Sequence, residues 1–340
     1  MRVSLDRYCR QTILPQIGRS GQEALLGRSA VVAGCGALGC ASALLLVRAG
    51  VGRLRVIDRD FVETSNLQRQ PLYYEEDVVS GMPKAAVAAE RLRAGNSDVR
   101  VEGVVADITP ANAGELLSGA DVIVDAVDNF ETRLIINDLA LSRGIPWVYG
   151  AVIGTYGVMM AILPGDGPCL RCLLPSPPPP GTVDTCATAG IFGPVAQCVA
   201  ALQASEALKL LLGRRDEVVR GLLQIDVWDG EMTVSQVARR PGCPACAGEY
   251  EYLRSSATAE TVTLCGQDAV QISFPRREPL SLADLARRLD GAANVTRNPF
   301  MLRFEAEGCE LNVFADGRAI IKGTTEPTVA RSLYSKYVGA

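Results

Sequence analysis

The chain has 340 residues, 48% of them hydrophobic, and 34 basic against 38 acidic residues give it a formal net charge of −4. This size and composition suit one large domain with a smaller one and exclude a disordered chain. The slightly acidic balance argues against an extended nucleic-acid-binding face, which needs clustered positive charge. The sequence contains no histidine, so any metal must be held by thiolates or carboxylates, and any chemistry must proceed without imidazole.

The first 30 residues are polar and contain no apolar segment of the kind found in secretory leaders. The best apolar run, at 37–47, is too short to span a bilayer. We therefore expect a cytoplasmic protein without a membrane partner. Its 11 cysteines would then be reduced, metal-bound or catalytic.

Short apolar strands alternate with helices through the first 150 residues. Predicted strands lie at 28–34, 53–58, 99–107, 120–128 and 145–152, and predicted helices at 37–49, 84–93 and 131–143. This alternation predicts an α/β fold with a Rossmann-like, doubly wound and mostly parallel sheet. A hairpin arm (154–165), a long apolar helix (193–213) and two strands within 222–238 predict an antiparallel extension.

Composition also predicts the domain boundaries. We expect one large domain over 1–248, a polar linker at 249–259 and a small α+β domain over 260–340. Inside the large domain, a proline tract marks an irregular crossover loop at about 173–192.

A glycine motif follows the first predicted strand and opens the first predicted helix of the sheet. Its nucleotide-binding candidates are Gly34, Gly36, Ala37 and Gly39. Such glycines allow a tight turn and a close approach of phosphate to the helix N-terminus. Asp58 ends the next strand, 24 residues after Gly34, where a carboxylate can bind ribose hydroxyls. The pattern favours a nucleotide site over a plain tight turn, but it does not choose the nucleotide.

The segment after Asp58 carries more polar groups than a nicotinamide site needs, namely Asp60, Asn66 and Arg69. Arg69 suits a triphosphate, which has more charge to neutralise than a pyrophosphate diester. Lys84, at the start of a predicted helix, is another candidate phosphate ligand. Either cation alone would be interpreted as a solvated surface charge, so the prediction depends on their joint occurrence.

Two further candidates, Asp128 and Asn129, are placed by the sequence at the carboxyl end of a buried strand. That edge of an open α/β sheet is the usual ligand crevice. A carboxylate there can hold a magnesium ion across phosphates. The alternative for Asp128 is a helix N-cap.

Cysteines form the strongest local signal. Two C-x-x-C pairs, Cys169 with Cys172 and Cys243 with Cys246, are separated by 70 residues and offer four thiolates for a closed, structural zinc site. The alternatives are a redox pair or chance spacing. Cys186 stands apart, because a thiol exposed near a helix N-terminus can be a nucleophile, whereas a small buried residue is the simpler interpretation.

In combination, these motifs resemble the ThiF/MoeB adenylyltransferases, bacterial relatives of the ubiquitin-activating enzymes. The matching stretches are RYCRQ, GCGALG, GVGRLRVIDRDFVETSNLQRQ, GMPKAA, VDAVDNFETR, CLRC, CPAC and QASEALKLL, within roughly residues 5–250. The resemblance implies a homodimer that uses ATP to adenylate the C-terminal glycine of a small β-grasp sulfur-carrier protein ending in Gly-Gly, with release of pyrophosphate. A ThiS-type carrier is favoured over a MoaD-type carrier, and a persulfide would donate the sulfur.

The resemblance also implies residue roles. Asp58 would bind the ribose, Arg69 and Lys84 the phosphates with Asn66 in support, and Asp128 a magnesium ion. Ala37 stands where the family usually has a second consecutive glycine, so the phosphate loop is slightly bulkier.

Further roles implied by the resemblance concern the dimer and the cysteines. Arg10 would reach into the partner subunit's ATP site, the two C-x-x-C pairs would bind zinc, and Cys186 would take part in sulfur transfer. Two rival hypotheses remain: an NAD-dependent oxidoreductase, which shares the glycine motif, and a non-catalytic module that docks a β-grasp protein.

Overall fold

The computed structural model describes residues 4–177, 189–254, 260–264, 268–273, 280–289 and 295–338. Contacts divide the chain into two compact units, Met1–Ser255 and Ser256–Ala340. The larger part of the proline tract and Cys186 lie outside the described residues. Within the described residues, no helix combines the length and the apolar character that a bilayer crossing requires.

The first unit is built on an eight-stranded sheet. Its strands are β1 (Ser29–Ala33), β2 (Arg53–Asp58), β3 (Arg100–Val105), β4 (Val122–Asp125), β5 (Trp147–Ile153), β6 (Tyr156–Ile162), β7 (Leu222–Asp226) and β8 (Glu231–Ser235). Their spatial order is β3-β2-β1-β4-β5-β6-β7-β8. The first five strands in this order are parallel and the last three are antiparallel, which confirms the predicted fold class.

Helices cover both faces of this sheet. They are α1 (Cys9–Thr12), α2 (Gly18–Leu26), α3 (Ala37–Arg48), α4 (Glu75–Ser80), α5 (Lys84–Gly95), α6 (Ala113–Leu116), α7 (Phe130–Arg143), α8 (Leu170–Leu173), α9 (Gly193–Leu211) and α10 (Glu251–Arg254). One core packs α3, α5 and α9 against one face of the sheet, and a second core packs α7 and the cysteine pairs against the other. Because both faces are covered, β4 is buried along its whole length, as expected of a central parallel strand.

The predicted strand at 120–128 begins two residues too early and ends three residues too late. β4 ends at Asp125, because the amide of Val127 turns back to donate to Asp125 Oδ1 at 3.0 Å. Apolar character continues through Ala126 and Val127, so composition alone does not reveal where the ladder stops. Asp128 therefore lies in the turn that follows the strand.

The second unit is a six-stranded antiparallel sheet in the order β11-β12-β13-β14-β10-β9. Its elements are β9 (Glu260–Leu264), β10 (Ala269–Ser273), α11 (Leu282–Leu289), β11 (Thr296–Arg297), β12 (Met301–Ala306), β13 (Cys309–Phe314), β14 (Ala319–Lys322) and α12 (Pro327–Tyr337). Alternate apolar residues of four strands form one core with α11 and α12. This arrangement agrees with the small α+β unit expected from the sequence.

Close packing of α5 on β3 depends on Gly103. A Cβ at Gly103 would lie 2.2 Å from the carbonyl oxygen of Ala85 and 2.8 Å from the Cβ of Ala89. Helix α5 therefore approaches the strand more closely than any side chain at this position would allow. This approach fixes the start of α5, where Lys84 lies.

We expect Gly103→Ala to lower the free energy of unfolding by about 1–3 kcal/mol, the usual cost of overpacking a core. Gly95→Ala, at the end of the same helix with no atom within 4 Å of the added Cβ, is the matched control. It should be neutral or stabilising by about 0.4–1 kcal/mol. Both tryptophans, Trp147 and Trp228, belong to the first unit, so urea unfolding followed by their fluorescence isolates that unit. Equal effects of the two substitutions would contradict the close-packing argument.

Candidate functional site

The candidate site lies at the carboxyl edge of the parallel strands, where β1 has β2 on one side and β4 on the other. Strand connections diverge in opposite directions at this point, which leaves a crevice that ligands occupy in open α/β sheets. The loop after β1, the residues after β2 and the turn after β4 all meet there.

Backbone packing explains two of the three glycines in the loop after β1. Gly34 has a φ of +89°, and a Cβ there would lie 2.5 Å from the carbonyl oxygen of Ala126. A Cβ at Gly39 would lie 2.0 Å from the carbonyl oxygen of Gly34. At Gly36, by contrast, the nearest heavy atom to an added Cβ would be Gln70 Nε2, at 4.0 Å. Packing within the protein therefore leaves the space beside Gly36 open, as a bound phosphate requires.

Asp58 holds the glycine loop in place. Its Oδ2 accepts a hydrogen bond from the amide of Cys35 at 2.6 Å, and its Oδ1 accepts one from the amide of Asp60 at 2.7 Å. Burial raises the pKa of Asp58 to about 6, against the lowering effect of nearby Lys84. The predicted ribose-binding carboxylate therefore also shapes the loop that would receive the phosphates.

Lys84 is a buried cation beside two carboxylates. It is only 6% exposed, its Nζ lies 3.2 Å from Asp60 Oδ2, and its amide donates to the carbonyl oxygen of Asp60 at 2.8 Å. Burial alone would lower the pKa of Lys84, but Asp60 and Asp58 raise it, with a smaller contribution from Asp128. Lysine is rarely buried unless it is paired, so this position is built around its charge.

Arg59 completes a group of charged side chains at this edge, and sequence reasoning missed it. We call this group the charged cluster, and its members are Asp58, Arg59, Asp60, Lys84 and Asp107. Its Nη1 lies 3.0 Å from Asp107 Oδ2, and its Nε lies 3.8 Å from Asp60 Oδ1. Burial opposes the charge of Arg59, but Asp107, Asp60 and Asp128 together raise the pKa of the guanidinium. Asp107 follows β3 at the same sheet edge, but no local spacing in the sequence links position 59 to position 107.

Asp128 is exposed in the turn after β4, and the structure rejects its alternative role as a helix cap. The N-cap of α7 is Asn129, whose Oδ1 accepts a hydrogen bond from the amide of Thr132 at 2.8 Å. The carboxylate of Asp128 is thus not used in capping. The side-chain oxygen of Asn129, a candidate nucleotide ligand, is already used to cap the helix.

Asn66 and Arg69 shape the loop that borders the site. Asn66 is buried, and its Oδ1 accepts a hydrogen bond from the amide of Glu63 at 3.0 Å. Arg69 Nη1 donates to the carbonyl oxygen of Ser65 at 2.6 Å. This contact is made within the loop itself, so the phosphate role of Arg69 stays a prediction.

Gln70, the next residue, was not singled out from the sequence. It is 3% exposed, its Oε1 has no hydrogen-bond partner among the described residues, and its amide nitrogen faces the open side of Gly36. A buried and unsatisfied amide oxygen is costly unless a ligand pairs with it. No composition or spacing rule distinguishes this glutamine from a surface one.

Arg10 is an exposed residue of α1. Ile13 and Leu14, three and four residues further along the chain, are 69% and 46% exposed.

Ala37 is the first residue of α3, directly after the open position at Gly36. The roles implied for Arg10 and Ala37 stay predictions.

The four cysteines of the two C-x-x-C pairs converge at one point. Their sulfur atoms all lie within 4.8 Å of one another. The individual separations are 3.9 Å for Cys169–Cys172, 3.6 Å for Cys169–Cys243 and 3.6 Å for Cys172–Cys246. Zinc–sulfur bonds of about 2.3 Å in a tetrahedron place sulfurs about 3.8 Å apart, so the cluster fits zinc and leaves no thiolate ligand missing.

The arrangement combines an open position at Gly36, a carboxylate suited to ribose, a buried lysine and an exposed carboxylate at one sheet edge. Such a site can bind a nucleotide with its phosphates close to positive charge. Lys84 is not needed to bind a nicotinamide dinucleotide, whose pyrophosphate rests on the glycine loop alone. The geometry therefore favours chemistry on phosphate over hydride transfer.

Comparison with known proteins agrees with this geometry. The model of the ThiF family matches residues 8–245. The "Sulfur carrier protein ThiS adenylyltransferase" of Bacillus subtilis is 45% identical over 337 residues, which cover 98% of this chain and 99% of that protein. The "Sulfur carrier protein adenylyltransferase" of Thermus thermophilus is 48% identical over 250 residues, 72% of this chain and 92% of that protein.

A crystal structure of MccB from E. coli with ATP superposes with a TM-score of 0.62 over 71% of this chain and 75% of that chain. At 23% identity this similarity supports the fold alone. The family match covers most of the first unit, and the B. subtilis relative is similar along nearly the whole chain. The chain therefore belongs to the ThiF family.

Proposed function

We propose that this protein uses ATP to adenylate the C-terminal glycine of a small β-grasp sulfur-carrier protein, most directly a ThiS-type carrier, with release of pyrophosphate. The observation that carries the proposal is the buried Lys84, which lies beside the half-buried carboxylates of Asp58 and Asp60 at the sheet edge where Gly36 is open. The names of the B. subtilis and T. thermophilus relatives support the carrier as substrate. A MoaD-type carrier is the alternative within the same chemistry.

The reaction brings two anions together. The glycine carboxylate attacks the α-phosphorus of ATP, the bond to the bridging oxygen of the pyrophosphate breaks, and an acyl-adenylate forms. The carboxylate is already ionised at neutral pH, so no general base is needed, which suits a chain without histidine. The main requirement is positive charge at the phosphates, because the attack is otherwise repelled. Lys84 and the N-terminus of α3 supply it, and we assign Arg69 to the same task.

Magnesium is the metal expected with ATP, and Asp128 is the residue that would hold it. Magnesium is usually bound by one or two carboxylates together with the substrate phosphates. An exposed carboxylate that caps no helix, near Lys84 and Arg59, fits this donor set. When bound, the metal would neutralise charge that develops on the phosphates.

The antiparallel end of the first unit suits a protein substrate. Every side chain of the edge strand β8 is exposed, and Met232 and Val234 among them are apolar. Trp228, 73% exposed, packs edge-on against Phe192 with ring centroids 5.7 Å apart. Exposed aromatic residues beside an open sheet edge are typical of protein-binding surfaces.

We assign two further roles from the family resemblance. A second copy of the chain would cover Ile13 and Leu14, because large exposed apolar side chains next to each other are common at interfaces. That copy would receive Arg10 in its ATP site. Cys186 would accept or pass on sulfur from a persulfide donor after adenylation.

The direct test is carrier-dependent exchange of labelled pyrophosphate into ATP, with a carrier that lacks its terminal Gly-Gly as the substrate control. Lys84→Met should lower the exchange rate by about 10²–10³-fold, the usual cost of losing one group that stabilises the transition state. Lys209→Met is the matched control, since Lys209 is ion-paired with Glu206 at 2.6 Å on α9. It should retain wild-type exchange.

The rivals predict different results in the same experiment. A non-catalytic docking module would bind the carrier but show no exchange with the wild-type protein. An oxidoreductase would bind a nicotinamide dinucleotide in preference to ATP, which a competition titration measures. Either result would refute the proposed adenylation.

The glycine loop gives a second prediction. Gly36→Ala should cost at most about 1 kcal/mol of stability, the difference between glycine and alanine at a helix N-cap. It should weaken ATP binding at least about tenfold, or about 1.4 kcal/mol, because the methyl group takes the space proposed for phosphate. Calorimetric titration with ATP measures the affinity, and thermal unfolding measures the stability. Wild-type affinity in this variant would show that phosphate does not approach Gly36.

The cysteine cluster gives a third prediction. The purified protein should contain one zinc ion per chain, and a strong chelator should lower its unfolding temperature. Cys172→Ser should remove the zinc, because a serine hydroxyl replaces a thiolate ligand. Cys198→Ser, which changes a cysteine outside the cluster, is the control and should keep full zinc content. Metal analysis by mass spectrometry decides between these outcomes, and equal zinc loss in both variants would refute the site.

A further inference from the structure

Arg133 is a buried arginine that the proposed adenylation chemistry does not use. It lies in the second turn of α7 and is 6% exposed. Burying a guanidinium is costly unless its charge and its N–H groups are satisfied. The contacts that satisfy Arg133 therefore indicate why the position is occupied by a charged residue.

The guanidinium joins three pieces of backbone at the carboxyl edge of the sheet. Its Nη2 donates to the carbonyl oxygen of Val127 at 2.6 Å and lies 3.2 Å from that of Gly150. Its Nε lies 3.4 Å from Asp125 Oδ2, an ion pair without good hydrogen-bond alignment. Arg133 thus connects the end of β4, the turn after β4 and the middle of β5.

Other contacts hold the same turn from its remaining sides. The fully buried Gln203 of α9 donates from Nε2 to the carbonyl oxygen of Asp125 at 2.6 Å. Asp125 Oδ1 accepts a hydrogen bond from the amide of Val127 at 3.0 Å. The carbonyl oxygen of Ala126 faces the position where Gly34 lacks a side chain.

Asp128 is the residue that follows this fixed turn. Its own carboxylate is exposed, so side-chain packing contributes little to its placement. The position of the carboxylate must then be set mainly by the backbone before it and by the helix cap at Asn129 after it. Arg133 binds the carbonyl group of Val127, which belongs to the peptide unit that joins Val127 to Asp128.

We propose that Arg133 is a positioning residue that fixes the turn at 125–127 so that the carboxylate of Asp128 is held ready for the metal-bound phosphates of the nucleotide. This inference rests on the proposed adenylation function. Arg133 itself touches neither substrate nor metal in this account. Its effect on the reaction passes through Asp128.

Arg133→Lys tests the proposal, because lysine keeps the positive charge but lacks the fork that reaches two carbonyl oxygens and a carboxylate at once. Arg55→Lys is a matched control. Arg55 likewise binds two backbone carbonyl oxygens, those of Leu116 at 2.7 Å and Glu115 at 3.3 Å, and a carboxylate, Glu102, at 2.9 Å. It lies in β2, outside the charged cluster.

We expect Arg133→Lys to raise the magnesium concentration for half-maximal pyrophosphate exchange about tenfold, which corresponds to about 1.4 kcal/mol. The KM for the carrier should stay within about twofold, since the effect is confined to the metal and the phosphates. Arg55→Lys should shift neither quantity. A shift of equal size in both variants, or none in Arg133→Lys, would overturn the proposal.

A double-mutant cycle separates positioning from general loosening. If Arg133 acts through Asp128, the effect of Arg133→Lys on magnesium-dependent ATP binding should largely disappear in an Asp128→Asn background. An undiminished effect in that background would show that Arg133 acts by another route. Should Arg133→Lys fail to fold, Asp125→Asn weakens the same anchor from the other side and is judged by the same cycle. Absence of carrier-dependent exchange in the wild-type protein would refute the adenylation proposal. The double-mutant cycle, measured by calorimetric titration of ATP in the presence of magnesium, would still decide the role of Arg133.

Discussion

The candidate site depends on one close approach of backbone, between the loop after β1 and the turn after β4. Residues Ala33 of β1 and Asp125 of β4 pair in parallel register, so the two chain segments leave the sheet side by side. Only the missing side chain at Gly34 lets the carbonyl group of Ala126 lie against it. If the segments were pushed apart, the glycine loop after β1 and the turn that carries Asp128 would no longer lie side by side. The polar residues at this edge therefore lie close together because of that contact.

The charges of the site are arranged before any substrate binds, and this arrangement lowers the stability of the folded protein. Asp58 has a folded-state pKa of about 6, above the value of about 3.9 for a free aspartate. The stability linked to its protonated form is therefore present below about pH 4 and is lost as the pH rises through about 6. At neutral pH the protein holds an ionised, half-buried carboxylate that accepts hydrogen bonds from the amides of Cys35 and Asp60. Lys84 offsets part of the cost, and its Nζ is already paired with Asp60 when the nucleotide arrives.

Local spacing in the sequence was sufficient to predict the sheet and the pairing of the cysteines. It was also sufficient to predict that the glycine motif, Asp58 and Lys84 share one sheet edge. Each of these depends on residues close together in the chain, or on the rule that parallel strands end at one edge. The pairing of Arg59 with Asp107 joins residues 48 apart, and nothing in either segment marks the other as its partner. The same holds for Gln203, which reaches the carbonyl oxygen of Asp125 from α9. The sequence also left capping of α7 open as the alternative role of Asp128, because Asp and Asn are both favoured caps and only the geometry shows that Asn129 is the cap.

Helix α7 connects the two chemically distinct parts of the first unit. Its N-terminal end carries the cap at Asn129, directly after Asp128, and Arg133 one turn later. One turn further on, the fully buried Asn137 accepts a hydrogen bond from the amide of Leu170, between the cysteines of the first pair, at 2.9 Å. The neighbouring Asp138 accepts one from the amide of Tyr252, beyond the second pair, at 3.0 Å. A rigid helix of 14 residues is thus bonded to the turn at the candidate nucleotide site and to the backbone on both sides of the cysteine cluster. A metal held by those cysteines would therefore stabilise more than the two cysteine pairs. It would also fix helix α7, whose Arg133 holds the turn before Asp128.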